Sequence, residues 1–355
     1  MKRILITGGS GFVGANLAIF LKESLTDTHV IAFDNLHRRG SELNLPRLYE
    51  KRIEFIHGDI RNESDIKNIP PCDWIIECSA EPSVLAGYVS TPTYVLHSNL
   101  TGALHCLNWA KKTGTKFMFL STSRVYPYTK LNELPLQETE TRYQPDFNEK
   151  LPVGLSHKGI SELFPLDGLR TLYGATKLAV ELIAEEYNAM YSLPIIINRC
   201  GIIAGPWQMG RIDQGIVALW LAHHIAEKPL SYIGFGGTGK QVRDLIDIKD
   251  LCNLILWQLK NYEKLNQTKF NIGGGIERSF SLLELTKLCQ DITNHKIPIH
   301  PDPNTRPGDI PYYITDASLI QSVTPWKPIC SLEQTLLDTA NWLSSNQYIL
   351  KGILF

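Results

Sequence analysis

The chain has 355 residues, 43% of them hydrophobic and 20% charged, with a formal net charge of −1. That length allows one large domain or two moderate ones with a real core, and the balanced charge excludes a nucleic-acid or anionic-membrane footprint. Seven singly scattered cysteines with no C-x-x-C pair argue against a disulfide framework and a structural zinc site. The opening "MKRILITGG" runs straight into a strand, and neither a signal-peptide core nor a run of about 18 apolar residues is present. A cytoplasmic protein without a membrane or nucleic-acid partner is therefore expected.

In chain order, Lys2 to Thr7 is a short apolar run ended by glycines, followed by a helical pattern over Asn16 to Lys22. "HVIAFD", "IEFIHGD", "WIIECSA" and "KFMFLSTS" read as four further strands, the last preceded by a helix around "NLTGALHCLNWAKK". Near-continuous apolar strands separated by helices predict a parallel sheet covered on both faces. Such sheets bind ligands at the carboxyl ends of their strands. Here those ends are polar or glycine-rich: "TGG", "DN", "GD", "SAE" and "STSR".

The first of these ends is the sharpest motif. "GGSGFVG" places Gly8, Gly11 and Gly14 three apart between a strand and a helix. Gly8 permits the tight turn, Gly11 lets backbone approach a pyrophosphate, and Gly14 lets the helix sit close to the strand. Asp34 ends the second strand 20 residues after Gly14, where a carboxylate meets adenosine ribose hydroxyls and repels a 2′-phosphate. NAD is thus favoured over NADP, with Arg38 nearby as the one residue pulling the other way. Asp59 ends the third strand and reads equally as an adenine contact or as a cap for "IRNESDI".

"YGATK" is the second signal. Tyr173 and Lys177 stand four apart at the start of a helical stretch and so share a face. A free tyrosine, with a pKa of about 10, is a poor base at neutral pH. A neighbouring ammonium and a positive nicotinamide ring favour the phenolate.

Together, Gly8-x-x-Gly11-x-x-Gly14 and Tyr173-x-x-x-Lys177 resemble the extended short-chain dehydrogenase/reductase family over essentially the whole chain. The resemblance implies an α/β protein: a Rossmann-type doubly wound parallel sheet with a smaller C-terminal α/β substrate domain. The expected division is an NAD-binding domain at 1–200, with 127–172 as a substrate-covering loop, and a mainly substrate-binding domain at 201–355. Within the latter, 241–275 should return in part to the first domain. The implied cofactor contacts are Gly8, Gly11, Phe12, Val13, Gly14, Asp34, Asn35, Arg38, Asp59, Ile60, Ala80, Asn99, Ser121, Tyr173 and Lys177.

By the same resemblance Thr122 shares the proton network with Tyr173, which removes a sugar hydroxyl proton while NAD takes the hydride. Lys177 orients the nicotinamide ribose. Thr122, Ser123, Arg124, Gln208, Gln241, Arg243, Arg306 and Asp309 fall at substrate positions, and guanidinium groups suit diphosphate oxygens. The implied partner is a nucleotide-diphosphate sugar, and a homodimer through helices near Gly102 and Tyr173 is expected.

The family's 4,6-dehydratases carry Asp-Glu immediately after the threonine, whereas this chain has Ser123-Arg124. Arginine stays protonated and cannot be a general base. That favours plain epimerisation through a transient ketone. "QETETRY", "RIDQGIVALW", "GKQVRD" and "FNIGGG" resemble a branch that inverts C2 of a CDP-linked deoxyhexose. A UDP-sugar 4-epimerase is the alternative, followed by a dehydratase or decarboxylase, and then a non-catalytic NAD-binding sensor. "CSAEPSVLAGYVSTP" and Ile202 depart from the usual pattern.

Downstream, "DQGIVALWLAHHIAEK" reads as a helix and "LSYIGFGGTGKQVRDLIDIKD" as hairpin-like. His223-His224 read as structural rather than metal ligands, since no carboxylate–histidine cluster accompanies them. "SFSLLELTKLCQDI" and "SLEQTLLDTANWLSS" read as serine-capped amphipathic helices, and Phe270 to Gly275 as a return to the main sheet.

Overall fold

The computed structural model describes residues 3–88, 91–210, 214–265 and 268–355. Lys2, Arg211–Asp213 of "RIDQGIVALW" and Val89–Ser90 of the loop after the fourth strand lie outside them. Contacts divide the chain into two compact units.

Unit 1 comprises 1–125, 172–199 and 252–270. Its strands are β1 (Arg3–Thr7), β2 (His29–Asp34), β3 (Glu54–His57), β4 (Trp74–Glu77), β5 (Lys116–Thr122) and β6 (Ile195–Cys200). With β7 (Lys269–Ile272) they form one seven-stranded sheet in the order β7-β6-β5-β4-β1-β2-β3. The pairings from β3 through β5 are parallel. The order reverses between β1 and β4, the switch point where such sheets open a crevice at their carboxyl ends. The sheet's Leu5, Ile31, Ile75, Phe117 and Ile197 join Leu107 and Ala184 of the covering helices in one buried core. Burying each large side chain of this kind stabilises the fold by about 1.5–3 kcal/mol.

Three helices position the site: α1 (Phe12–Ser24), α2 (Ala103–Thr113) and α3 (Leu172–Tyr191). Helix α1 begins four residues before the expected Asn16, because Phe12 to Ala15 take helical geometry directly from the glycine turn. A π-helical segment, His97–Gly102, leads into α2, which ends at Gly114 in the left-handed conformation.

Unit 2 comprises 126–171, 200–251 and 271–355. Ile202–Ala204, Val242–Asp247 and Ser279–Ser281 form a three-stranded sheet. Helix Leu282–Thr293 has a full capping box between Ser281 and Glu284, and Ser331 caps Leu332–Ser345. The Trp220 indole N–H donates to Thr286, joining helix Ile216–Ile225 to Leu282–Thr293.

The hairpin expected over "LSYIGFGGTGKQVRDLIDIKD" is corrected. Leu230–Ile233 pairs parallel with Ile299–Asp302, whereas Val242–Asp247 pairs with Ile202–Ala204 and Ser279–Ser281. The reason is local. Gly234, Gly236, Gly237 and Gly239 all have positive φ, so the chain winds away instead of folding back on itself.

Residues 127–172, expected as a loop of the first domain, fall in unit 2 up to Thr171 and contain short elements. Leu136–Glu138 pairs antiparallel with Tyr143–Pro145, and Leu155–Ser156 with Gly159–Ile160. Ile160 N–H donates to Ile314 O, and the Arg142 guanidinium grips Glu284 and Ser279.

Candidate functional site

The glycine turn explains its own sequence. Gly8 has φ +63°, where an L side chain is strained, and a Cβ there would press on Cys78 O at 2.9 Å. A Cβ on Gly14 would stand 2.1 Å from Gly8 O, so only glycine lets α1 start this close to β1. At Gly11 the same atom would meet only Gly8 O, at 3.2 Å, so one face of the turn is open. Gly11, the N-cap of α1, has no side chain to cap the helix. An open glycine turn and an uncapped N-terminus on a 13-residue helix fit a dinucleotide pyrophosphate. Gly14→Ala should destabilise the protein by about 1–3 kcal/mol or more and weaken NAD retention, measured by urea unfolding and by dinucleotide release.

Asp34 ends β2 and anchors this turn. Its carboxylate accepts from Ser10 N–H at 3.0 Å and Leu36 N–H at 2.8 Å. Burial pushes the carboxyl up, against those N–H donors. Asn35 donates through Nδ2 to Asp59 at 3.0 Å. The cap reading of Asp59 is settled locally, since Asn62 takes the Ser64 N–H and caps the helix Glu63–Lys67. Asp59 instead holds the Arg61 guanidinium through both oxygens. Burial alone would raise its carboxyl, but hydrogen bonds from Arg61 and Asn35 outweigh it and hold it at about 2.

The Arg61 guanidinium also lies 4.8 Å over the Tyr94 ring, which packs on His37. Sequence reading missed Arg61 and Tyr94; the only hint was an arginine two residues after Asp59. Ile60 is buried over Gly102, and Arg38 accepts Ser41 N–H through its carbonyl. Asn99, fully buried, accepts from Glu81 N–H and donates to Glu81 O, pinning the loop that contains Ala80.

At the end of β5 the hydroxyls take different jobs. Ser121 donates to Glu181, so its proton points into the unit 1 core. Glu181 is fully buried and bound through Nε and Nη2 of the Arg199 guanidinium. Thr122 Oγ1 accepts Arg124 N–H at 3.2 Å, which fixes its rotamer at the strand end. Tyr173 is half-buried in the first turn of α3, one turn before Lys177.

Lys177 is buried, donates to Leu120 O at 3.0 Å, and lies 4.4 Å over the Phe119 ring. Its Nζ is also 3.6 Å from Glu77 Oε2. Glu77 belongs to the apolar run "WIIE", and no spacing rule pointed to it. A buried carboxylate in a core strand was the available signal.

In unit 2, the Arg243 guanidinium binds Asp309 at 3.0 Å and Ile310 O at 2.7 Å. Asp309 N–H donates to Arg306 O, so these three residues form one tied turn. Gln208 and Gln241 each donate through Nε2 to a backbone carbonyl, Ile203 O and Ile233 O. Among the described residues, their buried Oε1 atoms have no hydrogen-bond partner. Asp244, beside Arg243 in sequence, accepts from Gly275 N–H and from both donors of Thr315, and burial pushes its carboxyl up to about 6. Among the described residues no group of three His, Cys, Asp or Glu could hold a metal, and no helix is long and apolar enough to cross a membrane.

Comparison with known proteins bears on this arrangement. The family model described as NAD dependent epimerase/dehydratase family matches residues 4–273. The CDP-paratose 2-epimerase of Salmonella typhi is 31% identical, covering 97% of this chain and 99% of that protein. A dTDP-glucose 4,6-dehydratase of Xanthomonas campestris is 25% identical, covering 100% of this chain and 96% of its own. Among solved structures, the X-ray structure of Pal from Bacillus thuringiensis superposes with a TM-score of 0.78 at 24% identity, covering 97% of this chain and 99% of that one, and shares its fold. This chain belongs to the NAD dependent epimerase/dehydratase family: it is an enzyme, its cofactor is NAD, and epimerisation is the activity that family and relatives support.

Proposed function

We propose that the protein is a nucleotide-sugar epimerase that oxidises one sugar carbon to a ketone and returns hydride to its opposite face. The substrate proposed is a CDP-linked deoxyhexose inverted at C2. One observation favours this over dehydration: Thr122 and buried Lys177 are in place at the end of β5, yet the two residues after Thr122 are Ser123 and Arg124, not carboxylates. Arg124 cannot take a proton from carbon, so this position supplies no acid–base pair for losing water. The choice of CDP and C2 rests on the similarity to the Salmonella enzyme.

NAD, when bound, supplies the hydride acceptor and donor. The glycine turn, the first turn of α1, Asp34 and Asn35 would hold its adenosine and pyrophosphate. Thr122 would hold the reacting oxygen by its hydroxyl, and Tyr173 would take the proton from that oxygen and later return it. Lys177, close by on the same helix face, would favour the ionised tyrosine by its charge. In unit 2, Arg243 and Arg306 would take the diphosphate, and the unpartnered Gln208 and Gln241 carbonyls would accept from donors on the nucleotide or sugar. A cytoplasmic homodimer completes the proposal, and exposed Leu182, Met190 and Tyr191 on α3 are the apolar surface such a contact would cover.

The test is a panel of CDP-, UDP- and dTDP-sugars in heavy water, followed by NMR. The expected result is inversion at C2 of a CDP-deoxyhexose with no solvent deuterium at that carbon. Deuterium at the inverted carbon, or a 4-keto-6-deoxy product, overturns the reading. Inversion at C4 of a UDP-sugar replaces its substrate.

A further inference from the structure

Glu77 is the one charged residue in the strand that faces Lys177 across the sheet edge. It ends β4 and is fully buried. One carboxyl oxygen accepts from the Thr7 hydroxyl of β1 at 3.4 Å. The other, Oε2, has no hydrogen-bond partner among the described residues and lies 3.6 Å from Lys177 Nζ. That separation is an ion-pair distance without a formed hydrogen bond. Lys177 therefore stands between two attractions: the Leu120 carbonyl, which it reaches, and the Glu77 carboxylate, which it approaches.

The surroundings leave little else to balance these two charges. From α2, Cys106 packs toward Glu77, but burial holds its thiol well above the usual range and keeps it neutral. The Ser79 N–H and the Thr7 hydroxyl are uncharged donors to the carboxylate. On the lysine's own helix, Glu181 is one turn on, but its charge is matched by Arg199 of β6. Tyr173 is one turn back. In so dry an environment opposite charges act strongly on one another and on any third ionising group nearby.

We propose that Glu77 is a positioning residue acting through Lys177: its carboxylate offsets part of the ammonium charge that Tyr173 would otherwise feel, and so sets the pH at which Tyr173 becomes an active base. This rests on the reading of Tyr173 as the base. An ammonium acting alone favours the phenolate. A neighbouring carboxylate moves the tyrosine's ionisation upward in pH while still holding the ammonium in a buried position. Burial pushes the Glu77 carboxyl up, while the Lys177 ammonium, the Ser79 N–H and the Thr7 hydroxyl pull it back toward the ionised form.

The experiment compares wild type, Glu77→Gln and Glu77→Asp, all loaded with NAD. Tyrosine labelled at the ring ζ-carbon gives an NMR signal for Tyr173, identified by its absence in Tyr173→Phe and followed against pH without any sugar. In Glu77→Gln this signal should ionise about one pH unit lower than in wild type, and the acidic limb of turnover should move with it. Glu77→Asp, which keeps the charge, should retain the wild-type titration. An unchanged Tyr173 titration in a folded Glu77→Gln protein overturns the proposal, even with full turnover. A shifted titration with no turnover of any nucleotide sugar leaves Glu77's role standing and defeats the epimerase reading instead. If Glu77→Gln does not fold, Thr7→Val serves: it removes the hydroxyl that supports the carboxylate, eases its protonation, and should move the signal in the same direction by a smaller step. No movement there overturns the proposal.

Discussion

Tyr173→Phe is expected to lose turnover by about 10²- to 10⁴-fold while the protein stays folded and keeps its NAD. The substitution removes one oxygen and leaves the ring in the first turn of α3. Lys177 stays anchored to Leu120 O, and the glycine turn and Asp34 are elsewhere in unit 1, so these cofactor-holding groups are untouched. What disappears is the group proposed to take the hydroxyl proton. Turnover of the sugar identified above, and NAD released on denaturation, are the two measurements. A variant with near-normal turnover would show that another residue is the base. Loss of NAD along with activity would show that the phenol mainly holds the cofactor.

The second large effect concerns stability. Arg199→Leu should destabilise the protein by about 3–5 kcal/mol in urea unfolding. Arg199 and Glu181 are both fully buried and bonded through three nitrogen–oxygen contacts. Removing the guanidinium leaves a carboxylate in the core whose remaining described donor is the Ser121 hydroxyl. The double variant Arg199→Leu with Glu181→Leu should recover most of the loss, because the stranded charge is then gone too. If the single variant costs under about 1 kcal/mol, the pair is not what fixes α3 against β6. The same variant should disturb Lys177, one helical turn away.

The parts of the fold legible in the sequence were those encoded by neighbours in the chain. Apolar runs with polar or glycine-rich ends marked five strands of the main sheet, and Ser281 and Ser331 marked their helix starts. The glycine spacing and the Tyr173–Lys177 interval were legible because helix geometry converts separation along the chain into a shared face.

What was not legible depends on partners far apart in sequence. Glu77 reads as one polar residue in a buried strand, and only a contact 100 residues downstream makes it Lys177's neighbour. Arg199 and Glu181 look like a strand arginine and a helix glutamate, each ordinary by itself. The hairpin was misread because alternating strands around a glycine cluster satisfy the local rule. Pairing with Ile299–Asp302, much later in the chain, won instead. Arg243 and Asp309 were each singled out, but their pairing with one another, which makes 306–310 a single tied turn, belongs to three dimensions.

The late arrival of β7 has a consequence for how the protein is made. Unit 1's sheet runs through β6 by residue 200, but the strand that covers its edge begins at Lys269. During synthesis, Ile195, Ile196 and Ile197 therefore emerge on an unpaired edge while residues 201–268 are still being added. Such an edge is a template for pairing with another chain. Closing so long a loop costs only slowly growing entropy, so the edge strand is thermodynamically easy to add but kinetically late. The nascent chain's most vulnerable interval thus falls between the sixth and seventh strands of its own sheet, and premature termination there would leave a fragment with a complete glycine turn and an unprotected β6.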